Sequence, residues 1–116
     1  MSSSDQPSAL VQGTLDMLIL RVLALEPMHG YGIGMRLEQI SRGAFQVNAG
    51  SLFPAFRRLE REGLIKGEWR TTENNRRAKQ YALTPAGRTR LRAHTRDWEA
   101  QTAAIGLILR AKTSDL

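Results

Sequence analysis

Residues 49–65 constrain this chain more than any other stretch, because they read as an amphipathic helix with a basic outer face that stops at Gly63 and runs into a strand. Leu52, Phe56 and Leu59 fall at i, i+4 and i+7 and make a core-facing stripe. Ser51, Ala55 and Arg58 share a second face, with Arg57 and Arg61 beside it, so the other side suits phosphates and base edges. Pro54 lacks an N–H and is tolerated without strain only in a first helical turn, which places the helix start near residues 49 to 51. Small residues crowd that end. A DNA-recognition helix inserts its N-terminal end into the major groove, where bulky side chains would hold the backbone away. Taken alone, the same residues also describe an ordinary surface helix with solvated arginines.

The flanking segments narrow the choice. Thr14 is an expected N-cap with Asp16 in the first turn, and Leu15, Leu18, Ile19, Val22 and Leu25 keep helical spacing until Pro27 ends the run, giving a helix over about 14–26. Met28, His29 and Gly30 then turn the chain, with His29 a turn or cap residue rather than a metal ligand. Ile33, Leu37 and Ile40 define a second helix over about 31–42, ended by Gly43, and Gly32 and Gly34 within it allow close helix packing. A linker from Ala44 to Asn48 leads into the third helix, which Asn48 can cap. Beyond Gly63, residues 64–70 alternate, with Ile65 and Trp69 expected on the buried face and Lys66, Glu68 and Arg70 outside. Residues 79–83 are the expected partner strand, joined through a polar turn that carries Arg76 and Arg77, and Tyr81 joins Trp69 beneath the ribbon. Thr84-Pro85 starts a last helix that can run to about Ala111.

Three helices, a hairpin with a basic tip and a closing helix describe a mainly α chain with a small antiparallel β-hairpin, the layout of a winged helix-turn-helix. Residues 1–11 form a polar arm, 12–84 the DNA-binding unit and 85–116 the closing helix and tail. At 116 residues there is room for one domain with a core. The net charge of +6 is uneven: residues 57–96 hold 12 Lys and Arg against 4 Asp and Glu, leaving 5 against 7 elsewhere, which points to a polyanionic partner. Cysteine is absent and the two histidines, His29 and His94, have no metal-ligand spacing, so no metal or cofactor is expected. No catalytic constellation or phosphate-binding glycine loop is present, which argues against an enzyme. With neither a signal-peptide layout nor an apolar run of about 20 residues, the chain is expected to be cytoplasmic.

Four segments carry a family resemblance: residues 13–20, residues 28–33, residues 50–55 with Arg58-Leu59-Glu60, and residues 74–79 with 81–87. Together they resemble the PadR family of bacterial transcriptional regulators over about residues 12–110, in its branch with a short C-terminal region. The resemblance implies a homodimeric, DNA-binding repressor, released in some members by small aromatic ligands. It puts the recognition-helix role on Ser51, Pro54, Ala55, Arg57, Arg58 and Arg61, and the wing-tip role on Asn74, Asn75, Arg76, Arg77 and Lys79. Many members have tyrosine where this chain has Phe53, which has no hydroxyl to donate to a phosphate and is expected to pack instead. In the last helix Leu91, Trp98 and Ile105 recur every seven residues, followed by Ile108 and Leu109, a stripe that suits the helix of a second copy. Two other readings stay open on the residues: a winged-helix module that meets an acidic protein, and a regulator of another winged-helix family such as MarR.

Overall fold

A computed structural model describes residues 12–116; the arm at 1–11 lies outside the described residues. The elements run α1 (Gln12–Leu25), β1 (Met28–His29), α2 (Gly30–Ile40), α3 (Ala49–Arg61), β2 (Ile65–Thr71), β3 (Arg77–Leu83) and α4 (Pro85–Leu109), with a final 3-10 turn at Thr113–Asp115. Helix α1 already includes Gln12, so Thr14 lies inside it and is not its cap. Its burial is broad: Leu15, Ile19, Leu20, Val22 and Leu23 are all buried, whereas Leu25 in the last turn is exposed. The sequence stripe captured only one edge of that face, because α1 packs at once on α2, α3, β3 and α4. In α2, Ile33 and Leu37 are buried as expected, but Ile40 at the helix end is exposed.

Close approach sets the geometry of α2 against α3. A Cβ on Gly34 would come to 2.9 Å from Leu52 Cδ1, and one on Gly30 to 2.9 Å from Phe56 Cε2, so larger residues would push the helices apart. Asn48 caps α3 by accepting a hydrogen bond from the Ser51 N–H at 3.0 Å. Helix α3 begins at Ala49 as expected, yet Pro54 is its sixth residue and not in its first turn. The missing N–H leaves the Gly50 carbonyl without its helical donor, and Gly50 is exposed, so solvent can serve that carbonyl. Gly63, at φ +76°, takes the left-handed turn that ends the helix.

The sheet has three antiparallel strands in the order β1-β3-β2, where the sequence suggested two. Met28 pairs with Tyr81 and His29 with Gln80. His29 is also the backbone N-cap of α2, although its ring makes no capping bond. The β2–β3 hairpin is longer than expected: Ile65 faces Leu83, Gly67 faces Tyr81, Trp69 faces Lys79 and Thr71 faces Arg77. The turn is therefore confined to residues 72–76. It closes through Thr72 N–H to Arg76 O at 2.7 Å, with Asn75 left-handed at φ +61°.

Phe56, Ile19, Leu20, Ile33, Leu59 and Ile65 are fully buried and form the centre of the core. The Phe56 ring lies edge-on to Phe53 at 5.3 Å and tilted against Tyr81 at 4.9 Å, which ties α3 to the sheet. Helix α4 starts on Thr84, whose hydroxyl accepts from Gly87 N–H at 3.0 Å and donates to Gly63 O at 2.7 Å. One hydroxyl thus joins the end of α3 to the start of α4. From Arg96 onward nearly every residue of α4 is exposed.

Candidate nucleic-acid interface

The outward face of α3 is a different one from that expected. Gly50, Pro54, Arg57 and Arg61 follow one another at helical spacing and are all exposed. Ala55, placed on the groove side by sequence, is 1% exposed and belongs to the core with Leu52, Phe56 and Leu59. Its small side chain serves packing inside the molecule and offers nothing to a groove. Ser51 is half-buried beside it. Phe53 is partly exposed but packs edge-on against Phe56, in keeping with a packing role.

Arg58 is turned inward as well. Its guanidinium meets Asp16 of α1 at 2.6 Å, and the two side chains are only 22% and 15% exposed. This ion pair joins residues 42 positions apart and turns the Arg58 guanidinium toward α1. Lys79 is likewise not at the wing tip. It lies within β3, donates to Glu60 of α3 at 2.9 Å and sits 5.6 Å from the centre of the Tyr81 ring. The Glu60 hydrogen bond raises the Lys79 pKa above the ordinary lysine value, while burial raises that of Tyr81. Gly67 on β2 makes room for this pair: a Cβ there would come to 3.1 Å from Glu60 Oε2 and 3.1 Å from Tyr81 Cε1. The Lys79–Glu60 contact therefore fixes the wing against α3.

On the opposite face of β2, Glu68 is bracketed by Arg70 at 3.1 Å and Lys66 at 3.5 Å. The hydrogen bond from Arg70, then that from Lys66, lowers the Glu68 pKa. Those two cations are partly answered in place. Arg57, Arg61 and Arg76, by contrast, have no ion pair among the described residues. Asn74, Asn75 and Arg76 are exposed on the turn. Arg77 belongs to β3 rather than the turn, and its guanidinium carbon lies 5.3 Å from the centre of the Trp69 ring. Trp69, expected under the wing as core, is 60% exposed, because the hairpin extends past the body that covers Ile65. Strand alternation located its face correctly. The length of the wing beyond the core was not visible in the pattern.

The basic half of the sequence is accordingly less uniform than its charge count. Arg88, Arg90, Arg92 and Arg96 belong to α4, and Arg90 faces Glu62 at 3.7 Å. On the same helix Leu91 is 7% exposed and packs into the protomer's own core, so it is not free for a partner. Trp98, Ile105, Ile108 and Leu109 are exposed.

Known proteins bear on this arrangement directly. The model of the transcriptional regulator PadR-like family matches residues 19–93. The chain belongs to this family. A PadR family regulator from Eggerthella lenta superposes with a TM-score of 0.78 at 32% identity, over 90% of this chain and 88% of that one. The PadR-like regulator from Bacillus cereus gives 0.78 at 25% identity, over 90% and 100%. A transcriptional regulator of Mycobacterium tuberculosis is 36% identical over 73 residues, which are 63% of this chain and 64% of its relative. The helices, small sheet and long final helix are thus the PadR winged helix-turn-helix. The chain is thus a PadR-like transcriptional regulator, of a family whose members bind DNA, and not an enzyme. No described helix is long and apolar enough to cross a membrane.

Proposed function

We propose that this PadR regulator is a cytoplasmic homodimeric repressor whose α3 enters the major groove of a near-palindromic operator while the wing lies along the adjacent backbone. The observation that carries this reading is the division among its arginines and lysines. Arg58 and Lys79 are held by internal carboxylates, whereas Arg57, Arg61 and Arg76 have no such partner among the described residues. Cations without an internal carboxylate, on the outward side of α3 and on the wing, are available to meet phosphates along a groove. Arg57 is the base-reading candidate, since it is the first cation from the N-terminal end of the outward stripe. Ser51 and Pro54 flank the entry, and Asn74, Asn75 and Arg77 complete the wing surface.

The dimer seam is assigned to Trp98, Ile105, Ile108 and Leu109, apolar side chains that the protomer leaves exposed on α4. A twofold dimer presents two α3 helices, hence half-sites about 10 base pairs apart or a multiple of that. Release by a small aromatic ligand follows the family expectation. DNA affinity selection with the purified protein tests the reading. The recovered fragments should share an inverted repeat that silences a reporter promoter when the protein is expressed; fragments with no common motif would sink it.

A further inference from the structure

Trp69 is anomalous: a large aromatic on the core side of the sheet, yet 60% exposed. Ile65, Gly67 and Trp69 share one face of β2, and Ile65 is buried, so the chain turns the indole toward the α3 side just where the core ends. Its cross-strand neighbour is Lys79, which is already engaged with Glu60 of α3. Arg77 lies on the diagonal toward the turn, with its guanidinium carbon 5.3 Å from the ring centre. The indole N–H has no hydrogen-bond partner among the described residues. Among the described residues this exposed donor, next to an arginine with no carboxylate partner, has no internal use.

We infer that Trp69 and Arg77 act as one contact unit on the wing, in which the indole holds the guanidinium over its face and both groups donate to consecutive DNA phosphates. This rests on the DNA-binding reading above. A guanidinium lying over an aromatic ring keeps its N–H edges free for a phosphate, and the ring restricts the rotamers that a solvated arginine would otherwise sample. Preorganisation of that sort strengthens the contact without adding charge. Trp69 is thus a positioning residue for Arg77 and a donor in its own right, and Lys79–Glu60 anchors the strand that carries them.

The experiment uses the full chain titrated with a random-sequence DNA duplex at low salt, the emission of the Trp69→Phe variant being subtracted from that of the wild type to give the signal of Trp69. Trp69 emission should change saturably with binding. In the wild-type background Trp69→Ala should weaken duplex affinity about tenfold and Trp69→Phe by less, since the phenyl face keeps the arginine but lacks the donor. Combining Trp69→Ala with Arg77→Ala should cost less than the product of the two single losses. Multiplicative losses would show independent action, and an emission indifferent to saturating DNA would show no contact; either overturns the inference. Should Trp69→Ala misfold, Trp69→Phe and the emission titration still decide. If the wild-type chain binds no duplex, the DNA reading itself fails. If it binds, and Arg61→Ala weakens it while Trp69 stays silent, only this inference falls.

Discussion

Replacing Gly87 with alanine should be among the most damaging single-methyl changes in the molecule. Gly87 is buried in the first turn of α4, where an added Cβ would overlap the Leu64 carbonyl oxygen and come to 3.0 Å from its carbon and 2.7 Å from Leu83 Cδ1. Backbone cannot step aside as a side chain can, so α4 has to lift by about 1 Å or more. That shift strains the Thr84 N–H to Leu64 O bond, now 3.2 Å, and the Thr84 hydroxyl bond to Gly63 O. Overpacking costs about 1–3 kcal/mol, and each strained hydrogen bond adds about 1 kcal/mol. The alanine gains at most about 1 kcal/mol in helix propensity. A net loss of about 2–4 kcal/mol follows, which lowers the urea midpoint by roughly 1–3 M at constant protein concentration. Gly13 is the control: it also lies in a helix, and an added Cβ meets nothing within 4 Å. Gly13→Ala should leave the midpoint unchanged or raise it. A Gly87→Ala midpoint at or above wild type would refute the described seating of α4 on the end of α3.

Asp16→Asn should destabilise the fold by about 1–3 kcal/mol in urea titrations, because it removes the carboxylate charge 2.6 Å from the half-buried Arg58 guanidinium; an unchanged midpoint would mean that the pair contributes nothing to the fold. Lys79 and Tyr81 both hold their protons to higher pH folded than unfolded, so the folded chain binds more protons in the alkaline range. Stability should therefore be full below the ordinary lysine and tyrosine range and decline as pH rises through it, with Lys79→Met flattening the decline measured by denaturant midpoints. Introducing glutamate at both Trp98 and Ile105 should give monomers in sedimentation, whereas an unchanged dimer would place the seam elsewhere.

Much of the architecture was legible because local chemistry specifies it: Asn48 and Thr84 cap helices in any context, Gly63 ends one, and Pro85 begins one. The face of α3 was harder. Leu52, Phe56 and Leu59 mark the centre of its buried stripe, but alanine and arginine at the border take their side from the neighbouring helix, and the Asp16 that claims Arg58 is 42 residues away. Strand β1 is only two residues long and exists through its pairing with Tyr81 and Gln80, so no periodicity announces it. Glu60 carries no sign in the sequence that it answers Lys79. A carboxylate one helical turn from Arg57 and beside Arg61 reads as a solvated neighbour until β3 is placed against it. Leu91 fits the seven-residue repeat of α4 as well as Trp98 does, and only the position of α1 shows that it is already covered.

The claim that internal pairing decides which cations meet DNA is tested most directly by the salt dependence of duplex binding in single-alanine variants. Arg61→Ala and Arg76→Ala should each reduce the slope of log affinity against log salt by about one unit, since each removes one phosphate contact, while Arg57→Ala should weaken cognate binding by about 1–3 kcal/mol and random-duplex binding much less. Arg58→Ala and Lys79→Ala should leave that slope unchanged, because their charges are already matched by Asp16 and Glu60. Equal reductions across all five variants, or a slope that moves only for Arg58 and Lys79, would contradict the account.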